Sequence, residues 1–131
     1  GMMGRDRSQN PDRSTGGSAS RGGRSDGPRP FLLMEANYRQ LHKEPPLVAV
    51  LPWGATEAHN FHLPHGTDVL EATAVAERSA ELAVERGARP LVLPTVPFGN
   101  DAQQLDQAAT VHLSPRSAEL LLSDVVDSMR R

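Results

Sequence analysis

The chain has 131 residues, with 14 Lys and Arg against 16 Asp and Glu and no cysteine. That length allows one domain, and the missing thiols exclude a disulfide framework and a thiolate metal site. Residues 31–131 carry eight basic and thirteen acidic residues, a balance that argues against a nucleic-acid-binding face.

Residues 1–30 hold seven Gly, five Ser and three Pro, with six Arg against three Asp. So little apolar surface cannot offset chain entropy, and the segment reads as a disordered tail. Ser20-Arg21-Gly22-Gly23-Arg24 is one Arg/Gly unit of the kind that binds RNA; a single unit does not make nucleic acid an expected partner. Gly1 ahead of Met2-Met3 reads as a processed tag or fragment boundary. No stretch has the roughly 18 apolar residues of a membrane span, and the N-terminus lacks a signal-peptide core, so the cytoplasm is the expected location.

The folded part, residues 31–131, begins with the apolar run Phe31 to Met34. A short helix is expected from Glu35 to Lys43, where Met34, Tyr38 and Leu41 recur at helical spacing. Pro45-Pro46 closes it. Leu47 to Leu51 is continuously apolar between prolines, as in a strand covered on both faces of a parallel sheet. Val69 to Arg86 contains no Gly or Pro. It predicts a helix with an apolar stripe of Ala72, Val75, Ala76, Ser79 and Ala83, a cap at Thr67 or Asp68, and a left-handed terminus at Gly87. Leu91 to Val96 predicts a second strand, with Pro94 near its end or at a distorted edge. Strand, helix and strand make one βαβ unit. Ser114-Pro115 opens a last helix whose Ala118, Leu121, Leu122, Val125, Val126 and Met129 share a face.

Between the first strand and the long helix lies Trp53 to Asp68, with three of the five histidines and two carboxylates. In extended backbone, residues two apart point the same way, so Glu57 and His59 can face one point beyond the strand. Asp68 begins the next helix at that same sheet edge, where α/β folds bind ligands. One imidazole and two carboxylates suit Zn²⁺, Mn²⁺ or Mg²⁺. An Asp can bridge two ions, and such a pair makes hydroxide available at neutral pH. Read alone, however, Asp68 serves equally as a helix cap, and His62 and His65 as groups that solvate or orient a turn. Three ligands do not complete two metal sites, so further ligands must come from elsewhere.

Leu51-Pro52-Trp53-Gly54-Ala55-Thr56-Glu57-Ala58-His59-Asn60-Phe61-His62-Leu63-Pro64-His65-Gly66-Thr67-Asp68 resembles the signature of the creatininase (creatinine amidohydrolase) family. Leu93-Pro94-Thr95-Val96-Pro97-Phe98-Gly99 is similar to that family's next strand and Pro-x-x-Gly loop. The resemblance implies a three-layer αβα sandwich around a mostly parallel sheet, assembled as a homo-oligomer, commonly a hexamer. It implies two divalent ions, Zn or Mn, with Glu57 and His59 each binding one and Asp68 bridging them. The implied reaction is metal-dependent hydrolysis of a non-peptide or cyclic amide, a small-molecule substrate. Asn60-Phe61 stand where the family has Gly and often Pro. Gln103-Gln104 and Ala108-Ala109-Thr110 replace a His and a Pro-Gly-Thr, which argues against creatinine itself. The family's second ligand motif, Asn-Gly-His, would follow the last helix, so the sequence reads as an N-terminal portion. The rival expectation is a truncated, non-catalytic member that binds metal or a partner, with an apolar sheet edge exposed to self-association.

Overall fold

The computed structural model describes residues 27–131. The expectations placed on residues 1–26, including the Arg/Gly unit, lie outside the described residues. Just ahead of residue 31, the Arg29 guanidinium pairs with Glu35 at 2.6 Å and with Glu77 at 3.3 Å. The folded contacts therefore reach back to Arg29.

Helix α1 is Tyr38–Lys43. It starts later than its apolar spacing suggested because Asn37 and Gln40 form a reciprocal capping box, each side chain accepting from the other's backbone N–H. Met34 and Tyr38 are 77% and 82% exposed, so the expected Met34–Tyr38–Leu41 stripe is not a buried face.

Strands β1 (Val48–Val50) and β2 (Pro90–Val92) pair in parallel, Ala49 opposite Leu91. On the other edge of β2, Leu32 bridges Val92, through Val92 N to Phe31 O at 2.8 Å and Leu33 N to Val92 O at 2.9 Å. Among the described residues β2 is thus the inner strand and β1 an outer one. That corrects the expectation of a first strand covered on both faces: Leu47 and Val48 are 71% and 59% exposed, while Leu91 and Val92 are buried. Regular pairing stops ahead of Pro94, which has no N–H to give. It resumes as Val96 N to Pro52 O at 3.0 Å and Gly54 N to Val96 O at 2.8 Å.

Helix α2 is Thr67–Glu85, followed by Gly87 at φ 86°. Its buried residues are Ala76 and Ala80, which pack with Leu32 and Val92 on one face of the sheet. Val75 and Ser79, expected in the stripe, are exposed. An alanine-rich helix offers too little contrast between its faces for periodicity to fix its rotation. Helix α3 is Pro115–Met129, capped by Ser114, whose hydroxyl accepts from Ser117 N at 3.2 Å. Leu33, Leu51 and Leu93, pointing the opposite way from Val92, meet Leu121 and Val125 of α3 across an apolar groove. Leu122, Val126 and Met129 stay exposed, so only part of the expected face turns inward. Helix, sheet and helix form the αβα layering of an α/β fold. Among the described residues no helix is long and apolar enough to cross a membrane.

Candidate metal centre

The chain leaving β1 is held against two later segments. Trp53 Nε1 donates to Phe98 O at 2.9 Å and Thr56 Oγ1 to Pro97 O at 2.7 Å. Thr56 also forms an antiparallel bridge to Val111. Past it, His59 bridges Leu63 across a narrow turn. Asn60 in that turn sits at φ 59° and its Oδ1 accepts from Phe61 N at 2.7 Å, a left-handed conformation that Asn tolerates through local hydrogen bonding. Ligand atoms of Glu57 and His59 come within 4.8 Å of each other just ahead of that turn.

The first turn of α2 brings Asp68 to them. It can come this close because Gly54 has no side chain: a Cβ there would lie 2.8 Å from Val69 N and Cα. Donor atoms of Glu57, His59 and Asp68 all fall within 4.8 Å of one another. Asp68 caps nothing, since the N-cap of α2 is Gly66 and no side chain accepts from the first turn. Thr67, the other expected cap, donates its hydroxyl to Pro64 O at 2.6 Å instead. The Asp68 carboxylate is therefore free for the site.

The electrostatics favour a cation. His59 Nδ1 lies 3.0 Å from Glu57 O; a carbonyl only accepts, so Nδ1 carries the proton. In neutral imidazole Nε2 then presents a lone pair, and it faces Asp68 Oδ1 at 3.2 Å. Two lone pairs meet there unless a proton or a cation stands between them. The Glu57 carbonyl, and then the Asp68 carboxylate, hold the His59 pKa above its ordinary value despite desolvation. Burial pushes the Glu57 carboxyl upward, aided by the adjoining Asp101 carboxyl and then by Asp68. Glu57 Oε2 and Asp101 Oδ2 are buried without a hydrogen-bond partner among the described residues. Orphaned buried oxygens, an imidazole lone pair and a sulfur-free donor set fit a hard or borderline divalent ion.

Asp101 and His112 escaped the sequence reading. Asp101 is 3% exposed, and its backbone N–H donates to His112 Nδ1 at 3.1 Å. Parallel pairing of Gly99 with His112 delivers it. His62 is exposed and outside the three-ligand group. His65 is also outside that group, and its Nε2 donates to Ala108 O at 2.9 Å, so it ties two loops together.

The chain itself is similar to known proteins in family, sequence and fold. The creatininase family, described as creatinine amidohydrolase, matches residues 34–131. The chain is 39% identical over 96 residues to the mycofactocin precursor peptide peptidase of Mycolicibacterium smegmatis, covering 71% of this chain and 38% of that protein. A provisionally assigned creatinine amidohydrolase from Bacteroides fragilis superposes with a TM-score of 0.66 at 34% identity, over 76% of this chain and 40% of that one. A mutant creatininase matches with a TM-score of 0.66 at 26% identity, over 77% and 41%. Another, of Zn–Zn type, shares the fold at 24% identity with a TM-score of 0.64. The chain spans about two-fifths of the length of these relatives. With its motif, layering and family match in agreement, the chain belongs to the creatininase family.

Proposed function

We propose that this chain carries the metal centre of a divalent-metal-dependent hydrolase of amide C–N bonds, with Glu57, His59 and Asp68 as ligands. The observation that carries the reading is the convergence of those three donor groups within 4.8 Å, with the His59 lone pair turned toward Asp68. In this reading His59 binds through Nε2 while Glu57 O fixes its tautomer. Glu57 and Asp68 would supply carboxylate oxygens to the ions. Divalent ions held there, Zn²⁺ or Mn²⁺, would acidify a water and polarise the amide carbonyl. Trp53 and Thr56 hold the ligand-bearing segment rigid through Phe98 O and Pro97 O.

The proposed substrate is a small amide, cyclic or a short peptide. The relative from Mycolicibacterium smegmatis is named for a precursor peptide, which supports including peptides. The proposal places the protein in the cytoplasm, in keeping with a cysteine-free chain, and working as a homo-oligomer. Leu47 and Val48, 71% and 59% exposed on an outer strand, support self-association.

The test is metal uptake followed by grafting. The chain should bind Mn²⁺ or Zn²⁺, and Glu57→Gln or Asp68→Asn should remove most of that binding. Residues 34–131, placed in the matching segment of the Mycolicibacterium peptidase, should retain metal-dependent peptide hydrolysis. Wild-type metal uptake by Glu57→Gln would overturn the reading.

A further inference from the structure

We propose that Asp101 binds a divalent cation together with Glu57, beside the group of Glu57, His59 and Asp68, outside which it stands. The inference rests on the metal reading above and goes beyond it, adding a carboxylate from another part of the chain.

Asp101 lies at the start of a 3₁₀ turn, Ala102–Gln104, the position where an aspartate ordinarily caps by accepting a backbone N–H. It does not cap: no side-chain hydrogen bond is made there. An aspartate 3% exposed then has one oxygen, Oδ2, buried with no partner. A buried, unpaired carboxylate is expensive, and the residue beside it makes the cost greater. The Asp101 carboxyl adjoins that of Glu57, whose Oε2 is the other buried carboxylate oxygen without a partner. Asp101 and Asp68 line the same open cleft beside Gly54. Two carboxyl groups placed together, each with an orphaned oxygen, need a shared proton or a cation between them. No Lys or Arg among the described residues forms an ion pair with either. A divalent cation satisfies both.

The surrounding backbone holds Asp101 in that place. Leu113 N donates to Gly99 O at 2.8 Å, and Asp101 N donates to His112 Nδ1 at 3.1 Å. Gly99 matters because a Cβ there would lie 3.1 Å from Gly54 O. The loop bearing Asp101 is thus pinned against the segment bearing Glu57. The adjoining carboxylates of Glu57 and Asp101 make an oxygen-only pair, which suits Mn²⁺.

The test is Mn²⁺ titration of the full chain, read by the electron paramagnetic resonance signal of free Mn²⁺, with thermal unfolding in EDTA and in saturating Mn²⁺. Asp101→Asn should weaken Mn²⁺ binding by more than about 100-fold, beyond the roughly 10- to 100-fold that loss of a merely orienting partner costs. In EDTA the same variant should melt above wild type, since it removes one of two adjoining buried carboxylates. In saturating Mn²⁺ the order should reverse. Asp101→Ser gives a second variant if the amide misfolds, and it should show the same loss of affinity. Unchanged affinity in a folded Asp101 variant, or a variant that melts lower in EDTA as well as in Mn²⁺, would make Asp101 structural and overturn the proposal. Loss of binding in Glu57→Gln with none in Asp101→Asn would overturn this inference alone. A wild-type chain that takes up no Mn²⁺ would overturn it together with the metal reading.

Discussion

His59 Nε2 stands 3.2 Å from Asp68 Oδ1, although nine residues and a change from loop to helix separate them. With Nδ1 committed to Glu57 O, the contact holds only with a proton or a metal ion at its centre. Protons and metal therefore compete for one place. Mn²⁺ affinity should fall steadily as pH drops below neutrality, and uptake should release protons into a weakly buffered solution. Asp68→Asn should lose most of the binding yet keep its helix, because Asp68 caps nothing. Its cost to the helix should stay within the roughly 0.3–1 kcal/mol of a first-turn charge. Circular dichroism alongside titration calorimetry separates the two effects; a melted helix in Asp68→Asn would refute this account.

The metal-free protein should show an inverted pH dependence at this site. Glu57 is raised above its ordinary 4.5, by burial first and then by Asp101 and Asp68. A group raised in the folded state stabilises fully below its unfolded pKa, and that contribution is lost as pH climbs through the folded value. The loss should begin near pH 4.5 and continue upward, while Glu35, lowered by Arg29, acts in the opposite sense. The difference between wild type and Glu57→Gln isolates the first effect. In EDTA, wild type should lose melting temperature relative to Glu57→Gln as pH rises above about 4.5. A flat difference profile would show that Glu57 is not perturbed.

Much of this was readable from local signals. Prolines at 46 and 52 bounded β1, Ser114-Pro115 opened α3, and the two-residue spacing of Glu57 and His59 placed both on one side. Asp101 was not readable. It lies 33 residues beyond Asp68 in the turn-like run Gly99-Asn100-Asp101, where a lone carboxylate reads as a solvated loop. Only the pairing of Gly99 with His112 carries it inward, and a bridge between loops has no periodicity to announce it. The exposure of β1 was hidden for a related reason. An apolar run records what a strand can bury, whereas its neighbours decide what it does bury.

Gly54 should tolerate no side chain. An added Cβ would lie 2.8 Å from Val69 N and Cα and 2.9 Å from its Cγ2. Two of those atoms are backbone at the start of α2 and cannot rotate away. Gly54→Ala should cost about 1–3 kcal/mol, as overpacking does, and should weaken Mn²⁺ binding because relief moves Asp68 away from Glu57. Gly66→Ala makes the control, with open space around its would-be Cβ and an ordinary φ of −86°. Equal melting temperatures for the two variants would remove the steric argument.

Ala109 should be improved by glycine. It sits at φ 60°, a left-handed conformation that costs an L-residue roughly 1–2 kcal/mol. Unlike Asn60, it has no side-chain oxygen to offset that cost. Glycine relieves the strain but gains freedom in the unfolded chain, worth about 0.4–1 kcal/mol against it. Ala109→Gly should therefore raise stability by about 0.5–1 kcal/mol. Asn60→Gly should do less, because it also forfeits the 2.7 Å bond from Phe61 N to Oδ1. The neighbouring carbonyl of Ala108 accepts from His65 Nε2, so relaxation at 109 should leave that tie in place. Urea unfolding with an unchanged m-value reads the difference directly. A lower midpoint for Ala109→Gly would mean that the turn is held by contacts of the methyl group and carries no backbone strain.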